Sequence, residues 1–144
     1  MAEPFVSRVA QMSRQVGLEE VEVAVDRVRI TVPREPSPVH VTVRVCGEMH
    51  GKEVLEFSSD GLVLPSEDTN KMPLLILALQ RNADVIFGHW GLDEDDEGST
   101  LRVFHSQITE TMDPPELRGA VLAVADEYAT LANAFGELFG FGQP

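Results

Sequence analysis

The sequence predicts an α+β domain built on one twisted antiparallel sheet with helices, and three observations carry that expectation. Apolar and polar residues alternate over residues 39–46, apolar residues step by three and four over residues 117–138, and Gly, Pro and Asp punctuate the short intervals between such stretches. Strands joined by short intervals pair antiparallel, because a parallel crossover needs about a dozen residues or more. The expected order is α-β-β-β-α-β-β-α.

The first helix is expected from about Glu3 to Val16, with Phe5, Val9, Met12 and Val16 on one face, Arg8 and Arg14 elsewhere on the wheel, and Gly17 as the left-handed residue that stops it. A first strand follows, in which Val21, Val23 and Val25 alternate and then Val28, Ile30 and Val32 alternate with the opposite parity. A strict period of two cannot skip a residue and keep one face buried, so Asp26-Arg27 requires a bulge or a tight reversal; a bulge is the expectation. The prolines of Arg34-Glu35-Pro36-Ser37-Pro38 cannot donate ladder bonds and mark a loop.

The second strand places Val39, Val41, Val43 and Val45 on one face and His40, Thr42, Arg44 and Cys46 on the other. His50-Gly51 marks a turn, and a third strand from Lys52 to Phe57 is closed by an Asp60-Gly61 turn signal. Ser66-Glu67-Asp68 offers a hydroxyl and carboxylates to the positive end of a second helix, in which Pro73 demands either a kink or a start delayed to about Thr69. The fourth and fifth strands, Val85 to Leu92 and Leu101 to Ile108, are joined by the acidic segment 93–99. Asp113-Pro114-Pro115-Glu116 has the pattern of a capping box and opens the last helix, whose buried stripe is Leu117, Val121, Val124, Tyr128, Leu131, Phe135 and Leu138.

Residues 1–144 are expected to form a single domain, since 144 residues is an ordinary size for one core. Eleven Lys+Arg against twenty-four Asp+Glu give a net charge of −13, and the basic residues are scattered among acidic neighbours. Such a surface repels phosphate, which disfavours nucleic acid and anionic membranes and leaves a basic or apolar partner as the positive expectation. Cys46 is the only cysteine, no signal peptide opens the chain, and no apolar run approaches the ~20 residues that span a bilayer. A cytoplasmic protein is expected.

No catalytic apparatus is evident, and neither cofactor nor metal is expected. Asp93, Asp95, Glu97 and Gly98 match the first half of a calcium-binding EF-hand loop, but its twelfth position is Phe104 where a bidentate glutamate is required. A solvated hairpin loop accounts better for them, with a calcium- or small-ligand-responsive regulatory domain as the alternative. His40, His50, His89 and His105 lack metal-ligand spacing, although His89 and His105 can face each other across the last hairpin. Leu74 to Leu79 cover the whole circumference of helix two, which calls for burial between layers or for self-association through Leu75 and Leu79. The Phe/Gly-rich ending at 135–141 is either a docking tail or a completion of the core.

Taken in order, Met72-Pro73-Leu74-Leu75-Ile76-Leu77-Ala78-Leu79-Gln80-Arg81-Asn82, the strand Val85-Ile86-Phe87-Gly88-His89-Trp90-Gly91-Leu92-Asp93, and Asp113-Pro114-Pro115-Glu116-Leu117 leading into Ala125-Asp126-Glu127-Tyr128 resemble the YbjN-like family of bacterial proteins. The resemblance runs from about Val16 to Phe135, and Pro73 departs from the family's uninterrupted helix. It implies the fold of type III secretion chaperones, often dimers that hold an extended segment of a client, and a family described as sensory-transduction regulators without an established activity. The expected function is therefore a non-catalytic chaperone-like or regulatory adaptor that binds a polypeptide as a homodimer, with Val41, Val43 and Val45 as the floor of the client site.

Overall fold

The computed structural model describes residues 4–139, in the order α1 (Phe5–Gln15), β1 (Glu20–Val23), β2 (Arg27–Val32), β3 (Val39–Met49), β4 (Lys52–Ser59), β5 (Leu62–Val63), α2 (Asp68–Asp84), β6 (His89–Asp95), β7 (Gly98–Ile108) and α3 (Pro114–Phe139). The α+β class and the succession of helices are as expected. The ending at 140–144 lies outside the described residues.

Helix α1 stops as its sequence dictates. Gly17 adopts φ 84°, its N–H donates to the Arg14 carbonyl, and Leu18 N–H donates to the Ser13 carbonyl at 2.9 Å, a Schellman closure that tucks Leu18 into the core.

The expected first strand is two strands. Val21 pairs with Ile30 and Val23 with Val28, and Ala24 N–H donates to the Arg27 carbonyl to close the turn. The parity flip therefore records a reversal rather than a bulge: antiparallel partners whose numbers sum to an odd value share a face while differing in parity. Val25, grouped with Val21 and Val23 by alternation, sits at the turn tip in solvent.

The hairpin between β3 and β4 reverses at His50 (φ 52°) and Gly51 (φ 78°), where both central residues of the tight turn take left-handed angles. Asp60-Gly61, in contrast, does not turn the chain. Strands β4 and β5 both pair with β7, Ser58 with Phe104 and Leu62 with Leu101, so the dipeptide shifts the register by one residue and the chain continues along the same neighbour. A Cβ on Gly61 would lie 2.0 Å from Thr100 Cγ2, which explains a glycine at this crossing.

Every strand pair is antiparallel, and β7 lies between β4 and β5 on one side and β6 on the other, so β1, β6 and the two-residue β5 each have a single strand neighbour and form the sheet margins. One face of the sheet supplies Val28, Ile30, Val32, Val41, Val43, Leu55, Phe57, Trp90, Leu101 and Val103 to the core. Helix α3 covers that face with Leu117, Val121, Val124, Leu131 and Phe135, α1 packs on β1, β2 and α3, and α2 packs on β6. The opposite face holds the pairs Thr31–His40, Arg29–Asp60, Arg44–Glu56 and Arg102–Asp93.

The α3 cap forms as the residues require: Glu116 N–H donates to Asp113 Oδ1 at 2.8 Å and Asp113 N–H donates to Glu116 Oε1 at 3.2 Å. Helix α2 begins at Asp68 and continues through Pro73, whose ring nitrogen cannot donate to the Thr69 carbonyl. Strand β6 begins at His89 instead of Val85, and residues 85–88 form the connection to it. No helix among the described residues is long and apolar enough to cross a membrane.

Candidate functional site

Helix α2 is the element whose chemistry and placement disagree. Only Leu74 and Ala78, one turn apart, are fully covered. Successive steps round the wheel bring Leu75, then Leu79 (68% exposed), Met72 (51%) and Ile76 (50%), a continuous apolar stripe that faces away from the core. The helix is therefore apolar on two sides and buried on one.

Two polar devices hold α2 in this position. Glu127 of α3, whose side chain is only 4% exposed, accepts hydrogen bonds from Arg81 Nε at 3.0 Å, Arg81 Nη2 at 2.5 Å and the Trp90 indole N–H at 2.9 Å. One carboxylate thus ties α3 to α2 and to β6, and its charge holds the Arg81 pKa above the usual guanidinium value through that hydrogen bond. The second device is Asn82, whose amide donates to the Trp90 carbonyl at 3.1 Å and accepts from Trp90 N–H at 2.7 Å. It satisfies both outward backbone groups of Trp90 as a neighbouring strand would.

That contact fixes the orientation of the whole edge. In an antiparallel ladder, alternate residues direct N–H and C=O toward the neighbour or away from it. Trp90 points away from β7, so Leu92 and Glu94 do too, and no backbone group among the described residues pairs with either. The side chains of Trp90, Leu92 and Glu94 share the helix side of the sheet. Beside this open stretch lies a cleft of ≈ 200 Å³ between α2 and the β6–β7 ladder, lined by Leu75, Ala78, Leu79, Trp90, Leu92 and Leu101. Leu92 is 44% exposed at its mouth. An apolar trough beside unpaired strand backbone can take an extended polypeptide, the backbone by ladder bonds and a side chain by burial.

The groove at the β1 margin is more polar, lined by Glu22, Val23, Ala24, Arg27 and Arg29.

The residues singled out from sequence divide accordingly. Val41 and Val43 are fully covered beneath α3 and offer no surface to a partner, a correction with a simple cause: alternation shows that one face of a strand is buried without showing what buries it. Val45 lies at the margin of the helix layer, 37% exposed, where a bulge between Val45 and Gly47 breaks the register. Leu75 and Leu79 do lie together, at the cleft. Leu92 and the backbone of Glu94 were not singled out, because an edge is a relation to absent neighbours that a strand's own residues do not encode.

The acidic segment is a tight hairpin in which Asp95 pairs with Gly98. Asp95 Oδ1 accepts from the N–H of Glu97 and of Gly98, Asp93 pairs with Arg102 at 3.1 Å, and Glu94 Oε1 accepts from Ser99 Oγ. These carboxylates serve the turn and the ladder. His89 pairs with Phe104, so His89 and His105 lie on opposite faces instead of facing each other. His105 is packed against the rings of Phe57 and Phe87, and burial together with the nearby His89 lowers its pKa below the ordinary imidazole value. Among the described residues, no three His, Cys, Asp or Glu side chains converge as a metal site.

The antiparallel sheet with α1 and α3 packed together on one face and α2 against an edge strand is an α+β arrangement that solved structures share. A chain of the HopA1–SchA chaperone–effector complex matches 88% of this chain and 90% of its own length at a TM-score of 0.55 and 18% identity. YbjN from E. coli matches 91% and 93% at a TM-score of 0.61 and 14% identity. The YbjN-like, chaperone-like fold that the motifs imply is the fold of this protein. No protein-family model and no curated protein matches the sequence.

Proposed function

We propose that this chain is a non-catalytic polypeptide-binding module of chaperone or regulatory-adaptor type, which pairs one extended segment of a client with the open edge of β6 and seats an apolar side chain in the α2–β6 cleft. The observation that carries the reading is the coincidence of unpaired Leu92 and Glu94 backbone with the trough formed by Leu75, Leu79 and Leu92. The likeness in fold to a chain of a chaperone–effector complex supports it. Residues 1–144 act as one such domain in this reading. The cytoplasm is its setting, where the exposed thiol of Cys46 stays reduced, and a charge of −13 sets it against nucleic acid and anionic membranes.

The outer part of the α2 stripe favours a second copy of the chain. Met72, Ile76 and Leu79 repeat at three- and four-residue spacing, as two antiparallel helices require for a two-fold interface. Met72 and Ile76 do not line the cleft and are the residues a second copy covers in this reading, whereas Leu79 stands at the boundary of the two surfaces. Light scattering is expected to give the mass of a dimer for the native protein and of a monomer for Ile76→Glu; a native monomer removes the dimer and leaves the client site standing.

The client site is tested with an array of unrelated short peptides. A subset containing apolar residues is expected to bind the native protein, and Leu75→Ser with Leu92→Ser is expected to weaken those peptides about tenfold or more per folded molecule, the folded fraction being measured alongside because Leu75 also packs on the core. Binding indifferent to both substitutions, or no binding above that of wholly polar peptides, contradicts the proposal.

A further inference from the structure

The charge around the open edge specifies what the segment in it must carry. Strand β6 and its turn read Leu92-Asp93-Glu94-Asp95-Asp96-Glu97, five acidic residues in succession after the apolar one. Arg102 neutralises Asp93, whereas Glu94, Asp95, Asp96 and Glu97 form no ion pair among the described residues. The edge also has a fixed end, because Asn82 occupies the outward backbone of Trp90. An added strand can therefore begin opposite Leu92 and run only toward the turn.

These constraints set its side chains one by one. Opposite residues of paired strands share a face. The residue opposite Leu92 faces the trough with Leu75 and Leu79 and is apolar. The residue opposite Glu94 shares its face and meets an uncompensated carboxylate, and the residues opposite Asp93 and Asp95 lie on the other face, beside the Arg102-paired Asp93 and the unpaired Asp95. A second copy of this chain does not fit, since edge-to-edge pairing of β6 with itself would set like charges against each other.

We infer that the segment this site takes is an apolar anchor residue with two or three lysines or arginines running away from it on one side, so that the edge selects basic-apolar strands and rejects acidic ones. The inference rests on the docking site proposed above and adds to it the chemistry of the occupant. Asp95, with one oxygen committed to the turn, and Glu94, bonded to Ser99, are held in place to present their charge.

The test uses the full chain and three short peptides that share one leucine and differ only in the three residues beside it, lysine in one, serine in another, glutamate in the last. Calorimetry at about 20 mM and about 300 mM salt is expected to show the lysine peptide binding roughly tenfold more tightly than the glutamate peptide at low salt, with the difference shrinking at high salt. In the Glu94→Gln/Glu97→Gln variant, which spares the Asp95 turn, that preference is expected to fall toward unity. A preference that survives the double substitution arises from the overall charge and overturns the inference. If the serine peptide binds, and loses its binding in Leu92→Ser, while lysine brings no gain, the charge selection is wrong and the docking site remains. If none of the peptides binds, both fall together.

Discussion

Val43→Asp is expected to abolish the folded state, whereas Leu79→Glu leaves the stability of the single chain, compared in the Ile76→Glu background, unchanged to within about 0.5 kcal/mol. Val43 is fully covered, paired with Val28 in β2 and Phe57 in β4, so an aspartate there places a carboxylate where neither water nor a cation reaches it. Burial of an unpaired charge, together with the loss of a well-packed valine, costs about 5 kcal/mol or more, as much as the whole stability of many domains of this size. Leu79 is 68% exposed, and glutamate is a good helix former, so the same polarity change in α2 removes little packing. Circular dichroism and the urea midpoint separate the two variants. A folded Val43→Asp protein would mean that the face of β3 is open, as a client floor at Val41 and Val43 requires.

Arg81→Leu is expected to lower stability by about 3 kcal/mol, or roughly 10 °C in melting temperature. The Glu127 carboxylate would remain buried with the Trp90 indole as its one charge-stabilising donor, and α2 would lose its tie to α3. The penalty belongs to the orphaned charge more than to the pair. The double variant Arg81→Leu/Glu127→Leu is accordingly expected to recover part of the loss, since replacing both partners by apolar groups removes the unpaired carboxylate. A single variant as stable as the native protein would show that Arg81 screens Glu127 only weakly. Because this clasp also sets the position of α2 over β6, the single variant is expected to bind peptides more weakly than its folded fraction accounts for.

What the sequence made legible follows from how local each feature is. The Asp113–Glu116 box and the Gly17 stop each close on themselves within a few residues, and both are where their residues place them. The alternation over residues 39–45 announced a strand with one covered face, and the excess of leucines in α2 announced more apolar surface than one contact covers, which the exposure of Ile76 and Leu79 matches. The hairpin at Ala24–Arg27 was obscured because a parity flip satisfies a bulge and a reversal alike. Asp60-Gly61 misled because the same dipeptide suits a turn and a register shift, and β5, two residues long, carries no period at all. Arg81, Trp90 and Glu127 meet across separations of 37 and 46 residues, which no local pattern encodes. The site was half legible for the same reason: Leu75 and Leu79 are conspicuous within their helix, while the backbone of Leu92 and Glu94 is open because β6 pairs with β7 alone and Asn82 reaches only Trp90.

Amide hydrogen exchange at Leu92 and Glu94, followed with and without a bound peptide, tests the docking edge most directly. Both amides point away from β7 and are expected to exchange fast in the free protein and to slow about tenfold or more once a strand is added, while Trp90, already held by Asn82, changes little. Tight peptide binding that leaves the exchange of Leu92 and Glu94 unchanged would contradict strand addition at β6.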